Sequence, residues 1–118
     1  MDIKELTSDE LKGLMDEGAA FVLIDLLGEK SYESLHLPGA VAVNPGEGFV
    51  ERVEGLVGGD KSKKVIVYGA NFKDELSTAK AWDLIGSGFN DVADFKGGLK
   101  DWAAELYPLE GLRAPKKS

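Results

Sequence analysis

The side chains in this sequence that could carry out chemistry are carboxylates and one histidine, because the chain contains no cysteine. That absence excludes a disulfide, a thiolate metal site and a thiol nucleophile. The single histidine, His36, cannot form a histidine metal cluster, so we expect no metal site. Three carboxylates stand out by position: Asp25 ends the apolar run AFVLID, and Asp74 and Glu75 lie between the run VIVYG and a helical stretch.

Each of these residues has a catalytic and a structural interpretation. Asp74 could be a covalent nucleophile in phosphoryl transfer, but that chemistry needs Mg²⁺ ligands nearby and only Glu75 is available. A hydrolase using Asp74 and His36 would require the two side chains to meet across a cleft. We favour structural roles for the two pocket-rim candidates: Asp25 stabilises a turn, while His36 hydrogen-bonds backbone in an HLPGA turn and packs against the sheet.

Composition and charge narrow the classes of partner. The chain has 118 residues and a formal net charge of -7, which argues against nucleic acid and anionic membranes as partners. The segment GEGF lacks the context of a nucleotide-binding loop, and no cofactor is expected. No apolar run approaches the roughly 18 residues of a membrane helix, and the charged N-terminus lacks a signal-peptide core, so a cytoplasmic location is predicted.

The arrangement of apolar residues predicts an α/β fold. Short apolar runs alternate with segments of helical periodicity, as in a three-layer sandwich with a central, mainly parallel sheet flanked by helices. Thr7 and Glu10 form a capping box that starts the first helix. Strands are predicted near Ile3 and over residues 20–25, 40–43, 65–69 and 91–95, and the later helices over residues 29–35, 49–57, 76–85 and 99–106.

Length predicts one domain over residues 1–110 and a flexible C-terminal tail over residues 111–118. Both tryptophans, Trp82 and Trp102, lie on apolar helix faces, so both are predicted to pack in the core. On the first of these helices, the expected inner face also holds Leu76, Ala79 and Ile85.

In parallel sheets, function gathers at the carboxyl ends of the strands. Three strand ends therefore matter most, at Asp25, at Gly69, and over residues 95–98. The segments around them resemble those of the rhodanese-like family. FVLIDLLGEKSYESLHLPGAVAV is similar to the family's strand ending in Asp, its short acidic helix and its HLPGA-type turn. VIVYG resembles the strand before the active-site loop, DVADFKGGLKDW the late strand and Gly-Gly turn, and LTSDEL the opening helix, so the resemblance covers nearly the whole chain.

The resemblance implies transfer of a sulfane sulfur through a cysteine persulfide. The family's cysteine stands just after the central strand, where backbone N–H groups and a helix N-terminus lower the thiol pKa and hold an anion. Related domains use the same loop on phosphate or arsenate. When this sequence is aligned with the family pattern on the strand VIVYG, Gly69 matches the cysteine position. When it is aligned on the following helix, Asn71 matches that position. Asp74 matches a second cysteine that some family members carry in an extended loop. None of the three is a thiol.

The rest of the equivalent loop departs from the family pattern as well. An anion cradle needs positive potential and free N–H groups, but here two carboxylates accompany one cation. Asp74 is also placed to cap the following helix and to occupy those N–H groups itself. The family's Asp-Val-Arg stretch is Asp25-Leu26-Leu27 here, so its arginine is missing. The residues matching the active-site loop are Gly69, Ala70, Asn71, Phe72, Lys73, Asp74 and Glu75.

Phe72 is a bulky side chain in a loop that faces solvent in active relatives. It could anchor a partner or plug the empty pocket, and we predict that it plugs the pocket.

Two functions remain. The first is a catalytically inactive rhodanese-like module that binds a protein partner at the old active-site face. The second is a sulfurtransferase-family enzyme present as a cysteine-free member or with its cysteine removed. A chain altered only to remove the nucleophile would keep a basic, glycine-rich cradle, and the several changes in this loop favour the first.

Overall fold

Strands and helices alternate along the chain, as the sequence predicts. The computed structural model describes residues 3–115. Within that range the elements are β1 (Lys4–Glu5), α1 (Ser8–Asp16), β2 (Val22–Asp25), α2 (Glu29–Ser34), β3 (Val41–Ala42), α3 (Phe49–Leu56), β4 (Val65–Tyr68), α4 (Leu76–Gly86), β5 (Val92–Phe95) and α5 (Gly98–Ala104).

The five strands form one sheet in the order β1-β5-β4-β2-β3, and every neighbouring pair is parallel. β4 lies at the centre and all four of its residues are buried, which suits its run of β-branched side chains. Because the strands are parallel, the segments that follow β1, β4 and β5 come together at one edge of the sheet. The predicted α/β fold with a central parallel sheet is confirmed.

Two apolar clusters hold the helical layers on opposite faces of the sheet. One cluster joins β-strand residues to Phe49 and Val53 of α3 and to Ala81 and Leu84 of α4. The other joins the sheet to Leu11 of α1 and Trp102 of α5, among other residues. The arrangement is therefore the predicted three-layer sandwich. Among residues 3–115, no helix has the length and apolar character needed to cross a membrane.

The first helix starts where the capping box predicts. The backbone N–H of Glu10 donates to Oγ1 of Thr7 at 3.1 Å, and the N–H of Thr7 donates to Oε1 of Glu10 at 3.0 Å. This reciprocal pair satisfies two backbone donors that a helix start leaves free. It also fixes the turn between β1 and α1.

The buried face of α4 differs from the prediction. Ser77, Ala81 and Leu84 are its buried residues, whereas Ala79 is exposed and Trp82 is 47% exposed. The prediction that Trp82 packs in the core is therefore wrong. Trp102 does lie in the core, and its indole N–H donates to the carbonyl oxygen of Pro108 at 2.8 Å.

The C-terminal segment starts with residues that are attached to the domain. His36 and Glu110 form an isolated antiparallel bridge. Beyond it, the N–H of Leu112 donates to the carbonyl oxygen of Glu33 and the N–H of Arg113 donates to that of Ser34, both at 2.9 Å. The predicted tail over residues 111–118 thus begins with residues that hydrogen-bond to the end of α2, and residues 116–118 lie outside the described residues.

Candidate functional site

The loop of residues 69–75 joins the central strand β4 to α4 and is fastened to the start of α5. The carbonyl oxygens of Gly69 and Ala70 accept hydrogen bonds from the N–H groups of Leu99 and Lys100, both at 3.0 Å. Gly98 makes this close approach feasible, because it has a φ of +64° and a Cβ there would collide with the carbonyl oxygen of Gly69. Backbone contacts with the start of α5 thus fix the start of the loop.

A tight turn over residues 71–74 forms the middle of the loop. The N–H of Asp74 donates to the carbonyl oxygen of Asn71 at 3.1 Å, and the N–H of Lys73 donates to the Asn71 side chain at 2.9 Å. Asn71 is therefore a turn-forming residue, a common role for asparagine. Phe72 lies at the tip of the turn and is 61% exposed. The prediction that Phe72 plugs the pocket is wrong, since the turn directs it away from the interior.

The Asp74 carboxylate fills the inside of the loop instead. Its Oδ1 accepts from the N–H of Leu76 at 3.0 Å, and its Oδ2 lies 3.3 Å from the N–H of Ala70. The N-cap of α4 is Glu75, whereas the sequence predicted Asp74 at that position. Asp74 lies one residue before the N-cap and still accepts from the N–H of Leu76, the first residue of the helix. The same Oδ2 lies 2.9 Å from where a Cβ at Gly69 would stand. The chain's own anion thus takes both the N–H donors and the space of a side chain at residue 69.

Asp25 ends β2 and forms a buried pair with Tyr68 at the end of β4. Its Oδ1 accepts from the N–H of Leu27 at 2.8 Å, and its Oδ2 accepts from the Tyr68 hydroxyl at 2.5 Å. That hydroxyl in turn accepts from the N–H of Leu37 at 3.1 Å. Burial raises the pKa of Asp25, and burial together with the Asp25 charge raises the pKa of Tyr68. The predicted turn role of Asp25 is confirmed by its bond to the N–H of Leu27, and its bond to Tyr68 also links the ends of β2 and β4.

His36 also has a structural environment. Its Nδ1 lies 2.6 Å from the carbonyl oxygen of Tyr32, which can only accept, so Nδ1 carries a proton. The imidazole stacks on the Tyr32 ring at 3.9 Å between centroids, and Nε2 lies 3.5 Å from Oε1 of Glu110. The predicted backbone hydrogen bond is confirmed. No hydrogen bond or ion pair among residues 3–115 joins His36 to Asp74, so the structure does not assemble the hydrolase pair.

The sequence analysis missed a polar chain at the end of β5. The Thr78 hydroxyl donates to Oδ2 of buried Asp94 at 2.6 Å, and Nζ of Lys96 donates to Oγ1 of Thr78 at 3.2 Å. Nζ of Lys96 also lies 5.3 Å from the centroid of the Phe72 ring. The signal for Lys96 was its position, as a cation directly after a strand at the functional edge of the sheet. Across residues 3–115, no group of three or more His, Asp or Glu side chains is arranged so that it could hold a metal ion.

Beside the loop lies an open cleft of about 500 Å³, which we call the β1/β5 cleft. It follows the carboxyl ends of β1 and β5 and is bounded by the start of α1, by α5 and by Phe72. Leu6 and Phe95 give it an apolar floor, and Glu5 and Glu105 lie on its rim. Its position at the carboxyl edge of a parallel sheet is typical of a binding site.

Comparison with known proteins gives a consistent result. The model of the rhodanese-like domain family matches residues 7–105. The thiosulfate sulfurtransferase GlpE of Pseudomonas syringae is 29% identical over 114 residues, which span 95% of this chain and 97% of that protein. The probable adenylyltransferase/sulfurtransferase MoeZ of Mycobacterium tuberculosis is 24% identical over 106 residues, which span 87% of this chain and 25% of that longer protein.

Solved structures show the same relationship. The rhodanese-like domain of the Anabaena protein Alr3790 has a TM-score of 0.82 at 30% identity and covers 100% of this chain and 88% of its own. Thiosulfate sulfurtransferase from Pseudomonas aeruginosa has a TM-score of 0.81 at 28% identity, with 98% of this chain and 22% of that one covered.

Proposed function

The chain belongs to the rhodanese-like domain family and is related to its sulfurtransferases, and from that premise we propose that it is a non-catalytic member that acts by binding a protein partner. Sulfur transfer of the kind that the resemblance implies needs a thiolate to accept the sulfur, and the sequence contains no cysteine. The partner would dock at the loop of residues 69–75 and the adjoining cleft.

The observation that carries the proposal is the position of the Asp74 carboxylate. An anion bound inside this loop would compete with Asp74 for the N–H groups of Ala70 and Leu76, which already face Asp74 oxygens at 3.3 and 3.0 Å. A second anion placed there would also be repelled by the carboxylate. The absence of a thiol and the position of the Asp74 carboxylate together support a loop without sulfur-transfer chemistry.

The same geometry argues against an enzyme from which only the cysteine has been removed. Such a protein would keep an open cradle around one altered residue. Here a cysteine at residue 69 would place its Cβ 2.9 Å from Oδ2 of Asp74, closer than ordinary van der Waals contact. The loop is therefore built around the carboxylate as well as around the glycine.

A thiosulfate:cyanide sulfurtransferase assay tests the catalytic half of the proposal. We expect no turnover by the unmodified chain or by Gly69→Cys, because Asp74 still occupies the loop in both. Gly69→Cys combined with Asp74→Ala tests whether an emptied loop recovers activity. Gly55→Cys is the matched control, because it places a thiol at an exposed position of α3 with no atom within 4 Å of its Cβ. Turnover by the unmodified chain would overturn the proposal, and turnover by Gly69→Cys alone would show that Asp74 does not block the site.

The binding half is tested through Phe72, which the turn presents at the tip of the loop with 61% of its surface exposed. Replacing it with alanine should weaken the capture of partners without affecting folding, since few of its contacts are internal. An unchanged set of captured proteins would remove Phe72 from the proposed surface.

A further inference from the structure

We infer that the β1/β5 cleft binds a basic segment of a partner protein, whose arginine or lysine side chains meet an acidic rim while an apolar side chain meets the floor. This inference rests on the proposed binding function and names the chemistry of the partner. The cleft's charge, its floor and the environment of Phe72 each point to that chemistry.

The charge of the cleft is strongly one-sided. The cleft is lined by four carboxylates and one ammonium group, so it carries a net negative charge. The carboxylates belong to Glu5, Asp9, Asp101 and Glu105. Asp9 accepts from the hydroxyl of Tyr107, and this hydrogen bond raises the pKa of Tyr107 to about 12. The other three carboxylates form no ion pair and accept no side-chain hydrogen bond within residues 3–115. They are exposed and available to a cationic partner.

The one ammonium group of the cleft is already engaged. Nζ of Lys96 donates to Oγ1 of Thr78 at 3.2 Å and lies 5.3 Å from the ring centroid of Phe72. Because Lys96 is held at the Thr78 side, it does not neutralise the carboxylates of α1 and α5. The ring of Phe72 still has 61% of its surface exposed, so a second cation can approach it. A guanidinium group suits this position, because arginine stacks on aromatic rings and also pairs with carboxylates.

The floor of the cleft selects against purely ionic ligands. Leu6, Phe95, Ala104 and Phe72 line it, and the volume of about 500 Å³ admits several side chains. Leu6 and Phe95 are almost fully buried, so Phe72 and Ala104 supply most of the apolar surface that a ligand can reach. A small polyamine could meet the carboxylates but would leave that apolar surface in contact with water. A basic peptide with an apolar side chain uses both parts of the surface, and the location at the carboxyl edge of the sheet agrees with it. The net charge of -7 favours the encounter further.

A defined probe tests the inference: a short fluorescent peptide in which arginine and leucine alternate, measured by anisotropy at low salt. We expect saturable binding that is lost when glutamate replaces arginine and weakened when serine replaces leucine. Amide shifts in the NMR spectrum should include Thr7, Gly97 and Asp101, which line the cleft. Absence of binding, shifts confined to other surfaces, or equal displacement by spermidine at the same concentration would each overturn the inference.

Paired variants separate a local rim from overall charge. Glu5→Gln with Glu105→Gln should weaken peptide binding about fivefold or more, since two rim carboxylates are removed. The control, Glu29→Gln with Glu51→Gln, removes the same charge from exposed positions that do not line the cleft and should change affinity less than about twofold. Equal losses in the two pairs would overturn the inference, because only net charge would then matter.

A second pair isolates the aromatic wall. Phe72→Ser should lower the affinity for the peptide about fivefold. The control, Trp82→Ser, removes another exposed aromatic side chain that does not line the cleft, and it should leave the affinity unchanged. Sedimentation could also detect a dimer of this chain that is abolished by the rim variants. The cleft would then bind a second copy of the chain instead of a partner protein, and the inference would be overturned. Sulfurtransferase turnover by the unmodified chain would overturn the proposed function alone, whereas a failed peptide test in an inactive protein would overturn only this inference.

Discussion

Asp74 shows how one side chain can set the chemistry of a loop from the inside. The N–H groups of Ala70 and Leu76 each face one of the two oxygens of its carboxylate. A carboxylate supplied by the same loop has a high effective concentration, so an external anion competes poorly with it. The contacts that stabilise the loop are therefore the ones that, in the proposed function, exclude an external anion.

Replacing Asp74 with alanine should cost about 1 kcal/mol of unfolding free energy, because two backbone N–H groups lose their acceptor. Asp74→Asn retains one side-chain oxygen and should cost less. Urea unfolding measures both. In addition, thiosulfate should raise the unfolding temperature of Asp74→Ala and not that of the unmodified chain, because only the variant frees the donors. An unchanged urea midpoint for Asp74→Ala would show that the two contacts contribute nothing.

Tyr68→Phe should destabilise the protein by about 1–3 kcal/mol at neutral pH, since it leaves Oδ2 of Asp25 and the N–H of Leu37 without their shared partner. The pKa of Asp25 is raised by burial above its ordinary 3.8, so the folded state holds the proton more tightly than the unfolded state does. The stability associated with Asp25 is therefore full in acid and falls as the pH rises through 3.8 and then through the raised value.

The Tyr68 hydrogen bond lowers the pKa of Asp25, so its loss raises that pKa further and extends the fall in stability to higher pH. The difference in unfolding free energy between Tyr68→Phe and the unmodified chain should consequently be larger at neutral pH than near pH 4. Urea unfolding at the two pH values measures it. A difference that is the same at both would show that Asp25 does not respond to the hydroxyl.

Part of this residue-level detail could be predicted from the sequence and part could not. Local chemistry was predictable: Thr7 and Glu10 cap α1 because both partners lie within one turn, and Asp25 accepts from a backbone group two residues away. Contacts between residues that are distant in the sequence, such as Tyr68 with Asp25, could not be predicted. A single sequence does not report which strand ends lie next to each other. Phe72 was misassigned because the space it was expected to fill had been taken by Asp74.

At the scale of elements, α4 illustrates why helix type is easier to predict than helix orientation. Two stripes of helical spacing run along it. Ser77, Ala81 and Leu84 form the fully buried stripe. Of the predicted inner face, Leu76 and Ile85 pack partly against the core, whereas Ala79 and Trp82 are exposed. Polar Ser77 conceals the buried stripe in the sequence. Bounds and type could thus be predicted, while the rotation about the helix axis depended on packing.

The two tryptophans should therefore respond differently to substitution. Trp82→Gln should cost about 1 kcal/mol because about half of the side chain is exposed, whereas Trp102→Ala should cost about 3–5 kcal/mol. Acrylamide quenching gives an independent measurement: in Trp82→Gln the remaining Trp102 should resist quenching, and in Trp102→Phe the remaining Trp82 should be quenched readily. Equal quenching of the two variants would contradict the assigned burial.

At the scale of the whole molecule, both faces of the parallel sheet are covered, and its carboxyl edge gathers the loop of residues 69–75, the Asp25 turn and the β1/β5 cleft. The order of elements and the three-layer architecture could be predicted, because alternating apolar runs and helical periodicity leave few other arrangements. The predicted end of the domain at residue 110 rested on composition alone. The segment after residue 110 has a polar, Gly- and Pro-containing composition like that of a tail, yet its backbone bonds to the end of α2.

Gly111 tests whether this C-terminal segment is part of the folded domain. Its φ is +118°, and a Cβ there would collide with the carbonyl oxygen of Ser34, so Gly111→Ala should cost about 3 kcal/mol or more. Gly58→Ala is the matched control: its φ is +64° but nothing lies within 4 Å of the added Cβ, so only backbone strain of about 1–2 kcal/mol is expected. Urea unfolding of both variants gives the comparison. A Gly111→Ala chain as stable as the unmodified one would mean that the segment does not hold its place against α2, and the domain would then end near residue 110 as its composition suggests.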